Sequence, residues 1–351
     1  MKMPNAAVID LFCGVGGLTH GLELSGLNVV AGFDIEESCR FAYEKNNSAL
    51  FINEDINTLT GADINRLYPT ESLRILVGCA PCQPFSKYTK RYRKEGPVDD
   101  KWKLLYSFAR IIKEARPEIV SMENVPELSR EEVFVDFINI LEKLNYKVSW
   151  GIVNATNYGV PQYRKRLVLL ASNLAKIDLI PPTHDETNFV TVREALSGLP
   201  TLTDGEIDPN DVTHQASSLS SLNRQRIRQS MPGGTWRDWD ESLQLECHKK
   251  KTGRSYPSVY GRMSWDLPSP TITTQFYGLG NGRFGHPEQH RALSLREGAI
   301  LQSFPGKYQF IAPEKPFNKR ILGTHIGNAV PVELGRAIGI SIIKHLKEVK
   351  A

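Results

Sequence analysis

The chain of 351 residues has only five cysteines, an odd number. Ample material for a core makes disulfide staples unnecessary at this size. Cys79 and Cys82 are spaced like half of a zinc site, yet no second pair and no neighbouring histidines complete it. Pro81 and Pro84 also fit a metal knuckle poorly, so no metal site is expected. The cysteines read as reduced thiols of a cytoplasmic protein. Long apolar runs are missing too: none approaches the roughly 20 residues that cross a bilayer, and no membrane partner is expected. The first seven residues lack a basic start followed by an apolar core, so no secretory signal is expected. Repeats and low-complexity tracts are absent. Charge of one sign is scarce: 43 Lys and Arg stand against 39 Asp and Glu, a net +4. That is a weak hint of an acidic partner such as nucleic acid.

What is present is an alternation. Residues 6–12, AAVIDLF, form a short apolar run that ends in a glycine turn, Gly14 to Gly17. An amphipathic stretch follows at 18–25, then an apolar run at 28–33 ending on Asp34, then a helical pattern at 36–46. Strand-like runs recur at 74–79, 118–122, 147–153 and 166–171, with helical periods at 101–115 and 130–144 between them. This order predicts an α/β fold with a doubly wound, mostly parallel sheet. After Pro181-Pro182 the character changes. Residues 183–290 are polar and irregular, and a helical pattern returns at 331–346. The expected division is residues 1–178 plus 319–351 as one domain and a smaller irregular domain at 179–318.

The glycine turn lets backbone pass close to a ligand and opens a helix whose amides face it. Asp34, about 20 residues on, can accept both hydroxyls of a ribose. Together these suggest an adenosine-type cofactor, and a dehydrogenase would fit as well. Cys82 follows a buried strand, in a loop stiffened by Pro81 and Pro84. Strand ends of α/β sheets carry chemistry, although a lone cysteine is more often a buried core residue.

Context decides. DLFCGVGG at 10–17, PCQPFS at 81–86, ENV at 123–125, QYRKR at 162–166 and GNAVP at 327–331 occur in this order. Together they resemble the carbon-5 cytosine DNA methyltransferase family, over residues 8–172 and about 291–340. The resemblance implies the class I S-adenosylmethionine-dependent fold and that cofactor. It makes Phe12, Gly14 and Gly16 the cofactor turn, with Phe12 against the adenine. It puts Asp34 on the ribose, beside Ile35, and Asp55 and Ile56 at the border of the adenine. Pro81, Leu104, Asn328 and Val330 complete the expected cofactor contacts.

The resemblance also implies a reaction. Cys82 adds to carbon 6 of cytosine, which turns the ring into an enamine whose carbon 5 takes the methyl group. Charge then develops on nitrogen 3 and oxygen 2. Glu123 is expected to hold or protonate nitrogen 3. Arg164 and Arg166, which alternate in an extended segment and so share a side, are expected to grip oxygen 2.

A stacked base hides its ring, so the target must be flipped out of duplex DNA. Residues 87–103 hold seven Lys or Arg against three acids, and 224–262 hold nine against four. The first segment is expected to close over the target and meet phosphates, with Ser86, Lys87, Arg91 and Arg93 as contacts. Gln162, Arg237, Lys250, Arg254, Arg262 and Thr273 are further expected DNA contacts, and the small domain is expected to read bases in the major groove. A monomer paired functionally with a restriction endonuclease, cytoplasmic and nucleoid-associated when on DNA, is the expected setting. Three rivals are weaker. A tRNA-modifying branch of the family carries Cys-Phe-Thr, which is absent here. A silent DNA-binding protein need not keep every catalytic residue. An oxidoreductase leaves PCQPFS, ENV and QYRKR unexplained.

Overall fold

The structure is a computed structural model that describes residues 5–81, 103–250, 257–313 and 315–350. Its elements in chain order begin β1 (Ala6–Leu11), α1 (Gly17–Leu24), β2 (Asn28–Asp34), α2 (Arg40–Asn46), β3 (Leu50–Asn53), α3 (Gly61–Leu67), β4 (Leu73–Gly78), α4 (Lys103–Ala115), β5 (Ile119–Asn124), α5 (Glu132–Lys143), β6 (Lys147–Asn154) and β7 (Lys165–Ser172). They continue with α6 (Val192–Leu196), β8 (Ile207–Asp208), β9 (Asp211–Gln215), α7 (Ser221–Gln229), α8 (Glu246–Lys249), α9 (Leu295–Leu301), α10 (Lys319–Asn328) and α11 (Val332–Lys350). The chain divides into two compact units. The first is Met1–Tyr158, Lys165–Thr183 and Val330–Ala351; the second is Gly159–Arg164 and His184–Ala329. The division expected at 178 and 318 differs from this one: residues 159–164, and 319–329 with α10, group with the second unit.

The first unit is built on a seven-stranded sheet in the order β3-β2-β1-β4-β5-β7-β6. The strands from β3 to β5 pair in parallel, and β7 runs antiparallel to both β5 and β6. This is the doubly wound, mostly parallel α/β architecture. All six residues of β1 are buried, as are all six of β5. A strand covered on both faces reads as a continuous apolar run, which is why these strands are visible in sequence. β3 and α3 are not visible. β3 has four residues, of which only Phe51 is buried, too few for either period to register. Glycine sets the packing of α1 on α11: a Cβ at Gly21 would sit 2.3 Å from the Val332 carbonyl oxygen.

The second unit holds a two-stranded sheet, β8 with β9, and short helices. Residues 183–290 lack a helical period in sequence because the α-helices among the described residues there have at most nine residues. Two helices open on capping boxes, Thr191 with Glu194 at α6 and Ser294 with Glu297 at α9, each satisfying amides that the helix cannot. By composition, residues 319–349 are long and apolar enough to cross a bilayer, but 67% of their most apolar window is buried. Ala329–Pro331 breaks that stretch into α10 and α11.

Candidate active site

The first unit places Phe12, Gly14, Gly16, Asp34, Ile35, Asp55, Ile56 and Pro81 at or just after the carboxyl ends of its parallel strands. Between β1 and α1 the backbone turns through positive φ at Phe12 (62°), Gly14 (51°) and Gly16 (87°). A Cβ at Gly14 would meet nothing within 4 Å, so glycine serves the backbone angle there, not packing. The Gly14 amide donates to Asp34 Oδ2 at 2.8 Å, and the Glu36 amide donates to Oδ1 at 2.9 Å. The carboxylate at the end of β2 is thereby aimed, with one donor on each oxygen and acceptor capacity left over. Ile35 beside it is exposed.

Asp55 Oδ1 accepts from the backbone and side-chain nitrogens of Asn57, both at 2.9 Å. Ile56 is buried in the main core, and Phe12 and Leu104 pack partly buried on that same cluster. Phe12 meets Phe108 edge-on at 6.5 Å. The loop carrying Asp55 and Ile56 is held by a residue that the sequence does not announce. Arg110 on α4 donates to the carbonyls of Leu59 (2.8 Å), Ile56 (3.1 Å) and Asn57 (3.4 Å). Pro81 is exposed and Val330 is buried, both in the first unit; Asn328 is exposed in the second.

A second unannounced residue is Asp10, 1% exposed on β1. It accepts from Thr19 Oγ1 at 2.7 Å, and Thr19 also meets Tyr43 Oη at 3.1 Å. Burial pushes the Asp10 carboxyl up to about 7; the Thr19 bond opposes this and the Asp34 charge adds to it. Read as an interior residue of a strand, an acid in DLF gives no hint of this.

Glu123 lies near the end of β5 and is 3% exposed. Its Oε2 accepts from the Cys79 thiol at 2.9 Å. Its Oε1 lies 2.9 Å from Arg166 Nε, an ion-pair distance off the angle of a hydrogen bond. Next to it, Asn124 Nδ2 donates to the Ala80 carbonyl at 3.0 Å, and its Oδ1 accepts from the Val125 amide at 2.8 Å. The ENV segment therefore carries the carboxyl and also ties down the chain two residues before Cys82. Cys82 itself lies outside the described residues, with Ser86, Lys87, Arg91, Arg93 and Arg254.

Three expected site residues belong to the interior of the second unit instead. Arg164 precedes β7 and groups with the second unit, whereas Arg166 lies on β7 in the first. Arg164 is 2% exposed, and its guanidinium donates to the carbonyls of Ile272 (2.9 Å), Gly327 (3.0 Å) and Ala329 (3.4 Å). Its terminal nitrogens thereby staple the end of α10 within the second unit. Gln162 is fully buried: its amide nitrogen reaches Leu301 and Gln302, and its oxygen accepts from the Ile272 amide at 2.8 Å. It cannot touch DNA in this state. Arg262 donates to the carbonyls of Ser230, His286, Gln289 and Ile227. Burial lowers its guanidinium to about 10. Alternation and charge counting missed this because neither can tell a solvated arginine from one that satisfies buried carbonyls. Arg237, Lys250 and Thr273 are exposed. Among the described residues, no cluster of three or more His, Cys, Asp or Glu could hold a metal.

A family profile described as C-5 cytosine-specific DNA methylase matches residues 6–344. The chain is similar to Type II methylase M.HgiDII of Herpetosiphon aurantiacus, 54% identical over 344 residues, covering 97% of this chain and 96% of that one. It is also similar to Type II methyltransferase M.Eco47II of Escherichia coli, 32% identical, covering 97% and 80%. Among solved structures, a prophage-encoded E. coli protein described as a DNA modification methyltransferase superposes with a TM-score of 0.73 at 22% identity, covering 97% of this chain and 99% of that one. This last likeness concerns the fold alone.

Proposed function

The chain belongs to the family of C-5 cytosine-specific DNA methylases, as a bacterial restriction-modification enzyme, and on that premise we propose how its residues carry the reaction. The methyl donor is S-adenosylmethionine, which when bound supplies an electrophilic methyl on a sulfonium. The residues present suit it. The positive-φ turn at Gly14 and Gly16 leaves backbone open to a ligand, and Asp34 is aimed with acceptor capacity free for a ribose. Phe12 and Leu104, both only partly buried, offer apolar surface to a flat base, with Ile56 behind them in the core.

Cys82 is the nucleophile. Two of the four described cysteines, Cys13 and Cys39, are unsuited to the role: both are buried, and burial pushes their thiols up, away from the reactive thiolate. Cys82 forms its bond to carbon 6 of a cytosine turned out of the duplex, while Glu123 gives a proton to nitrogen 3. Arg166 is the cation for the oxygen 2 side. When carbon 5 has taken the methyl group, loss of its proton to a base and departure of the Cys82 thiolate restore the ring. Exposed Arg237, Lys250 and Thr273, with the basic segments outside the described residues, meet the DNA. In the cell this methylation protects DNA from a partner restriction endonuclease.

The observation that carries the reading is the Glu123 carboxyl. It is buried at a strand end, with Arg166 on one oxygen, beside the tied-down approach to Cys82. The test is transfer of tritiated methyl groups to duplex DNA and to tRNA. Label enters DNA; label in tRNA alone rejects the reading.

A further inference from the structure

We infer that Cys79 is a positioning residue for Glu123, setting the orientation and the proton affinity of the carboxyl that serves nitrogen 3. The inference rests on the reaction proposed above.

Two neighbours fix the Glu123 carboxyl among the described residues. Oε1 faces Arg166, and Oε2 accepts from the Cys79 thiol at 2.9 Å. Glu123 is 3% exposed, so water does not replace a missing partner freely, and a carboxyl held at one oxygen can still swing about its terminal torsion, which is broad. The thiol closes that freedom. Cys79 is itself placed: it follows β4 directly, and its amide donates to the Leu11 carbonyl at 3.3 Å. The carboxyl thus hangs between two neighbouring strands, β4 and β5, and the cation on β7.

The choice of a thiol has a consequence. A thiol is a weak donor, so it orients the carboxyl while favouring its charged form only slightly. A hydroxyl in the same place donates more strongly and favours the charged form more. A proton donor needs the first arrangement, because the group must give its proton to nitrogen 3 as Cys82 adds and take it back when Cys82 leaves. Cys79 is therefore matched to a group that cycles between two protonation states.

The experiment compares wild-type enzyme with Cys79→Ala and Cys79→Ser in steady-state methyl transfer across pH. Trapping by DNA containing 5-fluorocytosine is measured alongside. With the positioning bond removed, kcat falls by about tenfold to a hundredfold in Cys79→Ala, with KM for DNA and for the methyl donor within about twofold. The alkaline limb of kcat moves to higher pH in Cys79→Ala and to lower pH in Cys79→Ser. Opposite displacements are not expected of a residue that merely fills space. If both variants keep the wild-type kcat and pH profile, or if both limbs move the same way, the inference is wrong. Should Cys79→Ala not fold, the displacement in the closely similar Cys79→Ser decides alone. The two readings separate cleanly: wild type that forms no adduct removes the proposed reaction, whereas wild type that forms the adduct beside unaltered variants removes only the role of Cys79.

Discussion

Arginine does different work in the two compact units. In the first, Arg166 faces a carboxylate at a strand end, and Arg110 holds the loop of Asp55 and Ile56, which we propose borders the cofactor. In the second, arginines are turned inward. Arg164 and Arg262 are buried against backbone carbonyls. Arg226 donates to the Leu243 carbonyl and lies over the rings of Trp239 and Tyr260. Arg291, wholly buried, makes a two-pronged bond to Glu297 at 2.6 and 2.8 Å. Two apolar clusters of the second unit are small: Trp236, Trp239 and Leu243 form one, and Leu219, Ile227, Leu279 and Ala292 the other. Irregular chain leaves many carbonyls without a sheet or helix partner, and buried guanidinium groups, with up to five donors, satisfy several at once. A basic segment in a polar sequence is therefore not automatically a surface that meets DNA.

Substitutions can break this contrast, and the largest effect is expected at Arg291. Arg291→Met leaves Glu297 charged and buried and costs about 3–5 kcal/mol, read as a large fall in Tm. An unchanged Tm contradicts the staple role. Arg262→Met comes next: the orphaned carbonyls cost about 1–3 kcal/mol, seen by thermal unfolding. If Arg262 instead serves DNA, stability holds and only the salt dependence of binding changes.

The units also differ in their response to pH. Glu297 is held down at about 2, its burial outweighed by Arg291, and burial lowers His286 to about 4. Both folded values lie below the ordinary ones, so the unfolded chain takes up protons first. The second unit loses stability as pH falls from about 6.5 toward 2. Asp10 is the reverse. Its folded value of about 7 lies above the ordinary 3.8, so its contribution is present below 3.8 and is lost as pH rises through 7. Region-resolved hydrogen exchange checks the opposite signs: protection weakens at low pH in α9, and toward pH 8 around β1 and α1. The smallest effects on stability are expected at the exposed cations. Arg237→Ala and Lys250→Ala shift stability by under about 0.5 kcal/mol. For each phosphate that a removed cation had neutralised, the salt slope of DNA binding flattens by about 0.9. A slope that does not change excludes these residues from the interface.

Legibility follows the same divide. β1, β4 and β5 are readable because a strand covered on both faces is mostly apolar. The glycine turn and Asp34 are readable because backbone angle and carboxylate position are local matters. Asp10, Arg110 and the bond from Cys79 are not readable, since each depends on a partner brought near only by folding. Arg164 shows the limit most clearly. Two residues from Arg166, with the same chemistry and in the same motif, it belongs to a different unit, and no spacing rule registers that.

The most direct test of Cys82 as the nucleophile is bisulfite sequencing of DNA from cells expressing either the wild-type chain or Cys82→Ala. The expected result is one short sequence in which a cytosine is protected from conversion by the wild-type chain and left unprotected by the variant. Protection that persists in Cys82→Ala, or no protected cytosine with the wild-type chain, contradicts it.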